Sequence, residues 1–358
     1  MSTTQPVATA DALAQRIVEA ALGTVDLLSI HMGDRLGWYR SLRVDGPATP
    51  EELAVRTDTH PRYAREWLEQ QAVTGLIEVD SDEPRRFTLP SASAEVLTDG
   101  SSLAYLAPLA RMLCAAAEQM PALLEAYRSG GGVGWAQYGA DARESQAEMN
   151  RPWYERALPE ALRSVPDLDA LLREPDTRIA DLGCGGGWST IALARAYPAA
   201  TVDGFDIDAA SVRLASSTGQ AHPDTAPRVA FHCGDAARLP AATFRCVFAF
   251  ECVHDMPNPV EVLAAARRSL IPGGRVVIMD EAVAGSFEAP GDEIERLMYG
   301  FSLLICLPDG MSHRPTAATG TVMRPDTLRG YAHEAGFTGF EILPIDGFGF
   351  WRFYQLTA

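Results

Sequence analysis

From Arg178 onward the chain alternates short apolar runs with amphipathic stretches. That rhythm limits the fold more than any other feature. RIADLG, TVDGFDI, RVAFHCG, CVFAF and RVVIMD read as strands, and STIALARAY, ASVRLASS and EVLAAARRSL as helices among them. Alternating units of this kind build an α/β fold, a mostly parallel sheet with helices on both faces. Ligands of such sheets bind at the carboxyl ends of the strands. The residues that follow those ends are therefore the first candidates for a functional site.

Ahead of the sheet the chain reads as mostly helical to about Leu97. Thr49-Pro50-Glu51-Glu52 fits a helix start, with a Thr cap, Pro in the first helical position and Glu three residues after the cap. A second helix, RYAREWLEQQAVTG, places Ala64, Trp67, Leu68 and Ala72 at helical spacing and stops near Gly75. LIEV, the turn DSDEP and RFTL then form two short strands. Helix, turn, helix and a two-stranded wing make a winged helix. Arg62 and Arg65 on its second helix are offset by Glu66 and Glu69, which disfavours entry into a DNA groove. Dimerisation, or walling a substrate pocket, is the better use. The expected organisation is a winged-helix and dimerisation domain over 1–100, a helical linker and lid region over 101–172, and a ligand-binding sheet domain over 173–358.

Charge supports this reading. With 30 Lys and Arg against 47 Asp and Glu, the net charge of −17 opposes a nucleic-acid partner. No apolar run is long enough to span a bilayer, and MSTTQPVATADALAQR lacks the basic start and apolar block of a secretion signal. The expectation is a cytoplasmic protein without a membrane partner. Six scattered cysteines form no CxxC pair, so they read as small buried hydrophobes in a reducing compartment.

Asp181-Leu182-Gly183-Cys184-Gly185-Gly186-Gly187 closes the first strand of the sheet and opens a helix. Gly183, Gly185 and Gly187 allow a tight turn and a close approach of backbone to ligand. A dinucleotide fingerprint starting at Gly183 would need glycine at 188, where Trp188 stands. Asp206 ends the second strand roughly 20 residues further on, where a carboxylate can accept both hydroxyls of a ribose. Asp235 follows the third strand and can accept from an adenine amino group, with the Ala236 amide reaching a ring nitrogen. Each Asp alone could be a turn or a cap. Three at successive strand ends, beside the glycine loop, point to a nucleoside.

This stretch resembles the class I S-adenosylmethionine-dependent methyltransferases, in DLGCGGG, GFDID, GDA and LIPGGRVVIMDE. With the winged helix in front, the chain is similar to small-molecule methyltransferases of the O-methyltransferase type. ECVHDM, CLPDGMSHRPTAATGTVMRPDTLRGYAHEAGF and MGDRLGWYRSL resemble an actinobacterial group of them. The resemblance implies a Rossmann-like sheet of seven strands with the last antiparallel, and FEILPID and FWRFYQLT supply the final two. It also implies S-adenosyl-L-methionine as cofactor, a small-molecule substrate and a homodimer. Asp181, Gly183, Gly185, Gly187, Asp206, Ile207, Asp235, Ala236 and Phe250 are its cofactor-binding candidates. Two residues depart from the group: Gly186, where Glu is frequent, and Ile305, where a His in some relatives helps bind a metal. No metal is therefore expected.

His254 and Asp255 follow the fourth strand, in FAFECVHDMPNP. The plant-type O-methyltransferases carry a His-Asp pair at that position, and its His is the base. A hydroxyl or acidic C–H acceptor must lose a proton, and a histidine with an ordinary pKa of about 6.5 suits that task. His254 is thus the candidate base, with Asp255 and Glu251 as further catalytic candidates and Glu281 as a partner to orient the ring. A structural histidine is the competing reading. Asp255 could equally cap a turn, and Glu251 could start a helix. Trp153 and Tyr154, at a helix start in MNRPWYERAL, either pack as core or close over a ligand. Met298 and Ile305 belong to an apolar helical stripe that lines either the core or the substrate cavity. Residues 307–325 form a loop too long for a simple connector and are expected to close over the pocket. Two other functions remain open: a non-methylating reaction such as cyclisation on the same fold, and a winged-helix regulator that senses the cofactor.

Overall fold

The computed structural model describes residues 9–358, so the first eight residues of the segment read above for a secretion signal lie outside the described part. The chain divides into two compact units, 1–114 and 115–358.

The first unit begins with a long helix, Ala10–Arg35, followed by Trp38–Val44, Pro50–Thr57 and Pro61–Val73. Strands β1 (Glu78–Val79) and β2 (Phe87–Thr88) pair antiparallel as the wing. The Thr49 cap forms as its sequence predicts: Thr49 Oγ1 accepts from the Glu52 amide at 3.2 Å, and Glu52 Oε2 accepts from the Thr49 amide at 3.0 Å. Trp38, Tyr39, Leu53, Trp67, Leu68 and Phe87 make the core. Gly33 is required here, because a Cβ would come within 2.3 Å of the Trp67 ring. On the second helix of the motif, Arg62 pairs with Glu66 and Arg65 with Glu51, so these cations are already engaged.

The second unit holds β3 (Arg178–Leu182), β4 (Thr201–Asp206), β5 (Val229–Cys233), β6 (Phe244–Phe250), β7 (Leu270–Glu281), β8 (Gly339–Ile342) and β9 (Trp351–Thr357). They form one seven-stranded sheet in the order β5-β4-β3-β6-β7-β9-β8. The first five run parallel to one another, while β9 runs antiparallel to both β7 and β8. The strand order reverses at β3, which lies between β4 and β6. Side chains alternate across the sheet. Ile179, Phe248 and Met279 join Leu158, Leu162 and Leu193 on one face. Ala180, Val247 and Ile278 join Leu263, Ala266 and Leu328 on the other. Burial of each large side chain contributes about 1.5–3 kcal/mol, so both faces hold the strand ends in register.

Two helices carry a π turn, at Trp153–Ala157 and Ser302–Cys306. The second continues directly into a short helix, Leu307–Met311. The long loop expected over 307–325 is therefore shorter, because its first five residues extend the preceding helix. No helix of the described residues is long and apolar enough to cross a membrane.

Candidate active site

The carboxyl ends of β4, β3, β6 and β7 converge on one region. Asp181 is the penultimate residue of β3, and its Oδ2 accepts from Ser189 Oγ and Thr190 Oγ1, both at 2.6 Å. These bonds tie the strand to the helix Trp188–Ala196 and set the loop between them. Gly183, Gly185 and Gly187 have φ of 64°, 49° and 84°, the left-handed region that disfavours a side chain. A Cβ on Gly183 would also meet Cys252 at 2.7 Å, whereas one on Gly185 would meet nothing closer than 4.0 Å. The loop is thus packed at Gly183 and open at Gly185. Burial pushes the Asp181 carboxyl up to about 6, and its Oδ1 is buried without a hydrogen-bond partner.

Asp206 lies beside this loop. Its Oδ2 accepts from the Gly185 amide at 2.9 Å and its Oδ1 from the Asp208 amide at 2.8 Å. Burial raises its pKa despite those bonds. Ile207 follows with 71% of its surface exposed, an apolar side chain offered to a flat partner. Asp235 is exposed, and its Oδ1 accepts from the Ala237 amide at 2.9 Å; Ala236 beside it is half-buried. Phe250 is buried, packed between Phe248 and the ring of Tyr154. The residues therefore fit a nucleoside-bearing cofactor: an open glycine cradle, a carboxylate with a free lone pair on each oxygen, and an unpartnered buried acid oxygen.

His254 sits in a single turn after β6 and is 3% exposed. Its Nδ1 lies 2.9 Å from Asp280 Oδ1 and 3.3 Å from Glu281 Oε2, both at the end of β7. Its Nε2 faces Asp255 Oδ1 at 3.4 Å. Asp280, not Glu281, makes the orienting hydrogen bond. The two acids are adjacent in MDE, and only the packing of β7 against the turn decides which one reaches the ring. Burial by itself disfavours the imidazolium, but Asp280, Asp255 and Glu281 outweigh it, and the His254 pKa is raised well above its ordinary value. Burial would raise Asp280 as well, but the His254 charge and the hydrogen bonds it accepts hold it down. Burial pushes Glu281 well up.

Glu251 does not start a helix. It has φ of 49° and turns its carboxylate towards Asn150, Gln146 and the Trp351 indole, all of which donate to it. Burial pushes its pKa up to about 7 against those bonds. Asp255 is raised by burial, opposed by His254. Cys306, in the second π turn, brings its sulfur close to His254 and Asp255. Asp309 lies one turn further on, accepts from the Trp135 amide at 2.7 Å and is pushed up to about 7, first by burial and then by Asp255. Among the described residues, two sets bring possible metal-ligand atoms together: His254 with Asp255 and Cys306, and His254 with Asp280 and Glu281. In the second set His254 and Asp280 are joined by a direct hydrogen bond.

Trp153 packs against Phe348 and Trp351, and Tyr154 is buried beneath Asn150, whose amide donates to its hydroxyl at 3.4 Å. Met298 and Ile305 are 2% and 5% exposed and lie on the helix and π turn that lead to Cys306. Arg324 pairs with Glu295 at 3.1 Å and bonds the Ala284 carbonyl, which fixes the loop after β7. Asp280, Asn150, Gln146, Cys306 and Asp309 were not singled out by the sequence. Asn150 lies inside MNRPWYERAL, Asp280 inside MDE, and Cys306 and Asp309 inside CLPDGM, whereas Gln146 lies in none of the quoted stretches.

Residues 179–274 match the family profile described as a methyltransferase domain, and residues 23–99 match an Rv2258c-like winged HTH domain. The 27-O-demethylrifamycin SV methyltransferase of Amycolatopsis mediterranei is 32% identical over 38% of this chain and 51% of its own length. The trans-aconitate 2-methyltransferase of Deinococcus radiodurans is 32% identical over 39% of this chain and 55% of its own length. The chain thus spans about half the length of these curated relatives. Among solved structures, the mitomycin 7-O-methyltransferase MmcR superposes with a TM-score of 0.72 at 20% identity, covering 98% of this chain and 99% of that one. Human N-acetylserotonin methyltransferase in complex with S-adenosylmethionine superposes at 0.71 and 15% identity, covering 100% and 99%. Both extend the likeness of fold across the two units. The chain thus carries, in sequence order, an Rv2258c-like winged helix-turn-helix domain over residues 23–99 and a methyltransferase domain over residues 179–274.

Proposed function

We propose that the protein transfers a methyl group from S-adenosylmethionine to a small-molecule metabolite, with oxygen as the favoured acceptor atom and His254 as the base. One observation carries the reading: the glycine loop and Asp206 lie at the ends of β3 and β4, and a buried His254 held by Asp280 follows the adjacent β6. Gly183, Gly185, Gly187 and Asp181 would hold the amino-acid end of the cofactor. Asp206 would hold the ribose, Ile207, Asp235 and Ala236 would border the adenine, and Phe250 is a further cofactor-binding candidate. When bound, S-adenosylmethionine supplies an electrophilic methyl carbon on a sulfonium.

The chain's own part is alignment and proton removal. Asp280 fixes the His254 tautomer with a proton on Nδ1, which leaves Nε2 to accept one from the acceptor. Asp255, 3.4 Å from Nε2, and Glu251 stand close enough to shape that step. Trp153, Tyr154, Met298 and Ile305 exclude water around the acceptor. The names of the relatives support a metabolite substrate, since rifamycin and mitomycin methyltransferases are among them. A homodimer is the proposed assembly. Leu13, Ile17, Leu22, Val25, Leu28 and Met32 are exposed along the first helix, a stripe that self-association would cover.

The test is incubation with methyl-labelled S-adenosylmethionine and extracts of the producing cells, following which compound gains label. Label on a small molecule in the presence of wild-type protein, absent with His254→Ala, supports the reading. Binding of cofactor without transfer to any extract component would count against it.

A further inference from the structure

Three carboxyl ends of the sheet are bridged by one helix. Helix Gly139–Pro152 presents Arg143, Ala147 and Asn150 at spacings of four and three residues, which puts them on one face. Arg143 Nε donates to Asp208 Oδ2 at 2.7 Å in a largely buried pair. Ala147 sits over Gly186, where a Cβ would come within 2.7 Å of the alanine methyl. Asn150 donates to Glu251 Oε2, and Gln146 Nε2 reaches the same oxygen at 3.3 Å. Asp208 follows β4, Gly186 follows β3 and Glu251 follows β6, three neighbours in the sheet. The helix therefore runs across the open side of the glycine loop, where a ligand of this fold binds.

Both ends of that helix are built to give way. Gly139 opens it with φ of 77°, and a Cβ there would touch nothing. Pro152 and the π turn Trp153–Ala157 interrupt the regular hydrogen-bond ladder at the other end. Glu251 holds a left-handed conformation unusual for a residue with a side chain. That conformation aims its carboxylate at the helix on one side and at the Trp351 indole on the other. A backbone kept in such a region at a strand end belongs to the class of features that packing retains for a functional reason.

We propose that helix Gly139–Pro152 is a lid over the cofactor pocket, latched by Arg143 on Asp208 at one end and by Asn150 and Gln146 on Glu251 at the other. Glu251 is a positioning residue whose grip sets the rate at which cofactor and its demethylated product exchange. The proposal rests on the S-adenosylmethionine reading. Opening requires release of both latches and rotation about Gly139 and the π turn. Closure seats Ala147 on Gly186 and covers the loop.

The experiment uses the full chain and S-adenosylhomocysteine as the probe. Its dissociation rate is measured by stopped-flow displacement for wild type, Asn150→Ala, Arg143→Ala and Glu251→Gln. The expected result is a rise of at least tenfold for Asn150→Ala and Arg143→Ala. A smaller rise is expected for Glu251→Gln, whose amide oxygen still accepts from Asn150. Hydrogen exchange of the Asn150→Ala variant, without ligand, checks the same point should Glu251→Gln fail to fold. Loss of protection confined to 139–157 supports the lid. Dissociation at the wild-type rate in both latch variants overturns the lid and leaves the cofactor reading intact. Failure of the wild type to bind the probe removes the cofactor reading and the lid with it.

Discussion

His254 Nδ1 lies 2.9 Å from Asp280 Oδ1, and both side chains are almost fully buried. The pair joins the turn after β6 to the end of β7 and leaves Nε2 as the only ring nitrogen that can take a proton. With three carboxylates around it, the imidazolium persists to higher pH than in water.

The rate of methyl transfer should therefore rise with pH through neutrality and level off above the raised His254 pKa, because only the neutral ring accepts a proton. Asp280→Asn removes one negative neighbour, so its rising limb should move to lower pH while the plateau falls at least tenfold. A pH–kcat profile of the two proteins checks this. An unmoved limb would mean that another group titrates.

The same pair links stability to pH. A histidine with a raised folded pKa stabilises the fold fully below its unfolded value of about 6.5 and loses that contribution as pH rises through the folded value. Asp280→Asn should thus lower the melting temperature more at pH 6 than at pH 9. Calorimetry at the two pH values gives the comparison, and equal losses would contradict the coupling.

Asp206→Ala should weaken S-adenosylmethionine binding at least tenfold, since it removes the carboxylate that braces the Gly185 amide and that is proposed above to hold the ribose. His254→Ala should leave that affinity within about threefold, a difference under 1 kcal/mol, while turnover falls by a factor of about 100 or more. Titration calorimetry separates the two variants.

Gly186 has no room for a side chain. A Cβ there would overlap the Ala147 methyl. Gly186→Ala should cost about 1–3 kcal/mol, and the double variant with Ala147→Gly should recover most of it. Thermal melts of the three proteins test the contact; a harmless single substitution would show that the helix does not press on the loop.

The exposed stripe on Ala10–Arg35 should hold two copies together. Light scattering at micromolar concentration is expected to give a dimer for wild type and a monomer for the pair Leu22→Glu with Val25→Glu. Leu22 and Val25 are 62% and 53% exposed, so an intact fold is expected in the variant.

The winged helix, the strands and helices of the parallel part of the sheet and the glycine loop were legible in the sequence because each rests on local signals. A Thr cap with Glu three residues on, glycines that need left-handed backbone, and alternation of period two or 3.6 all act within a few residues. Asp206, Asp235 and His254 were legible for a related reason: strand ends fall in predictable places. The partners of those residues were not. Asn150 and Glu251 are 101 residues apart, and His254 and Asp280 are 26 apart. Their meeting depends on which strands are neighbours and on the register between β6 and β7. A shift of one residue would exchange Asp280 for Glu281 beneath the ring. The sequence by itself determined the elements, the loop and the list of ionisable groups. Only the tertiary structure decided which carboxylate orients His254 and which one grips the helix above the loop, because burial and long-range pairing, not local propensity, set those distances.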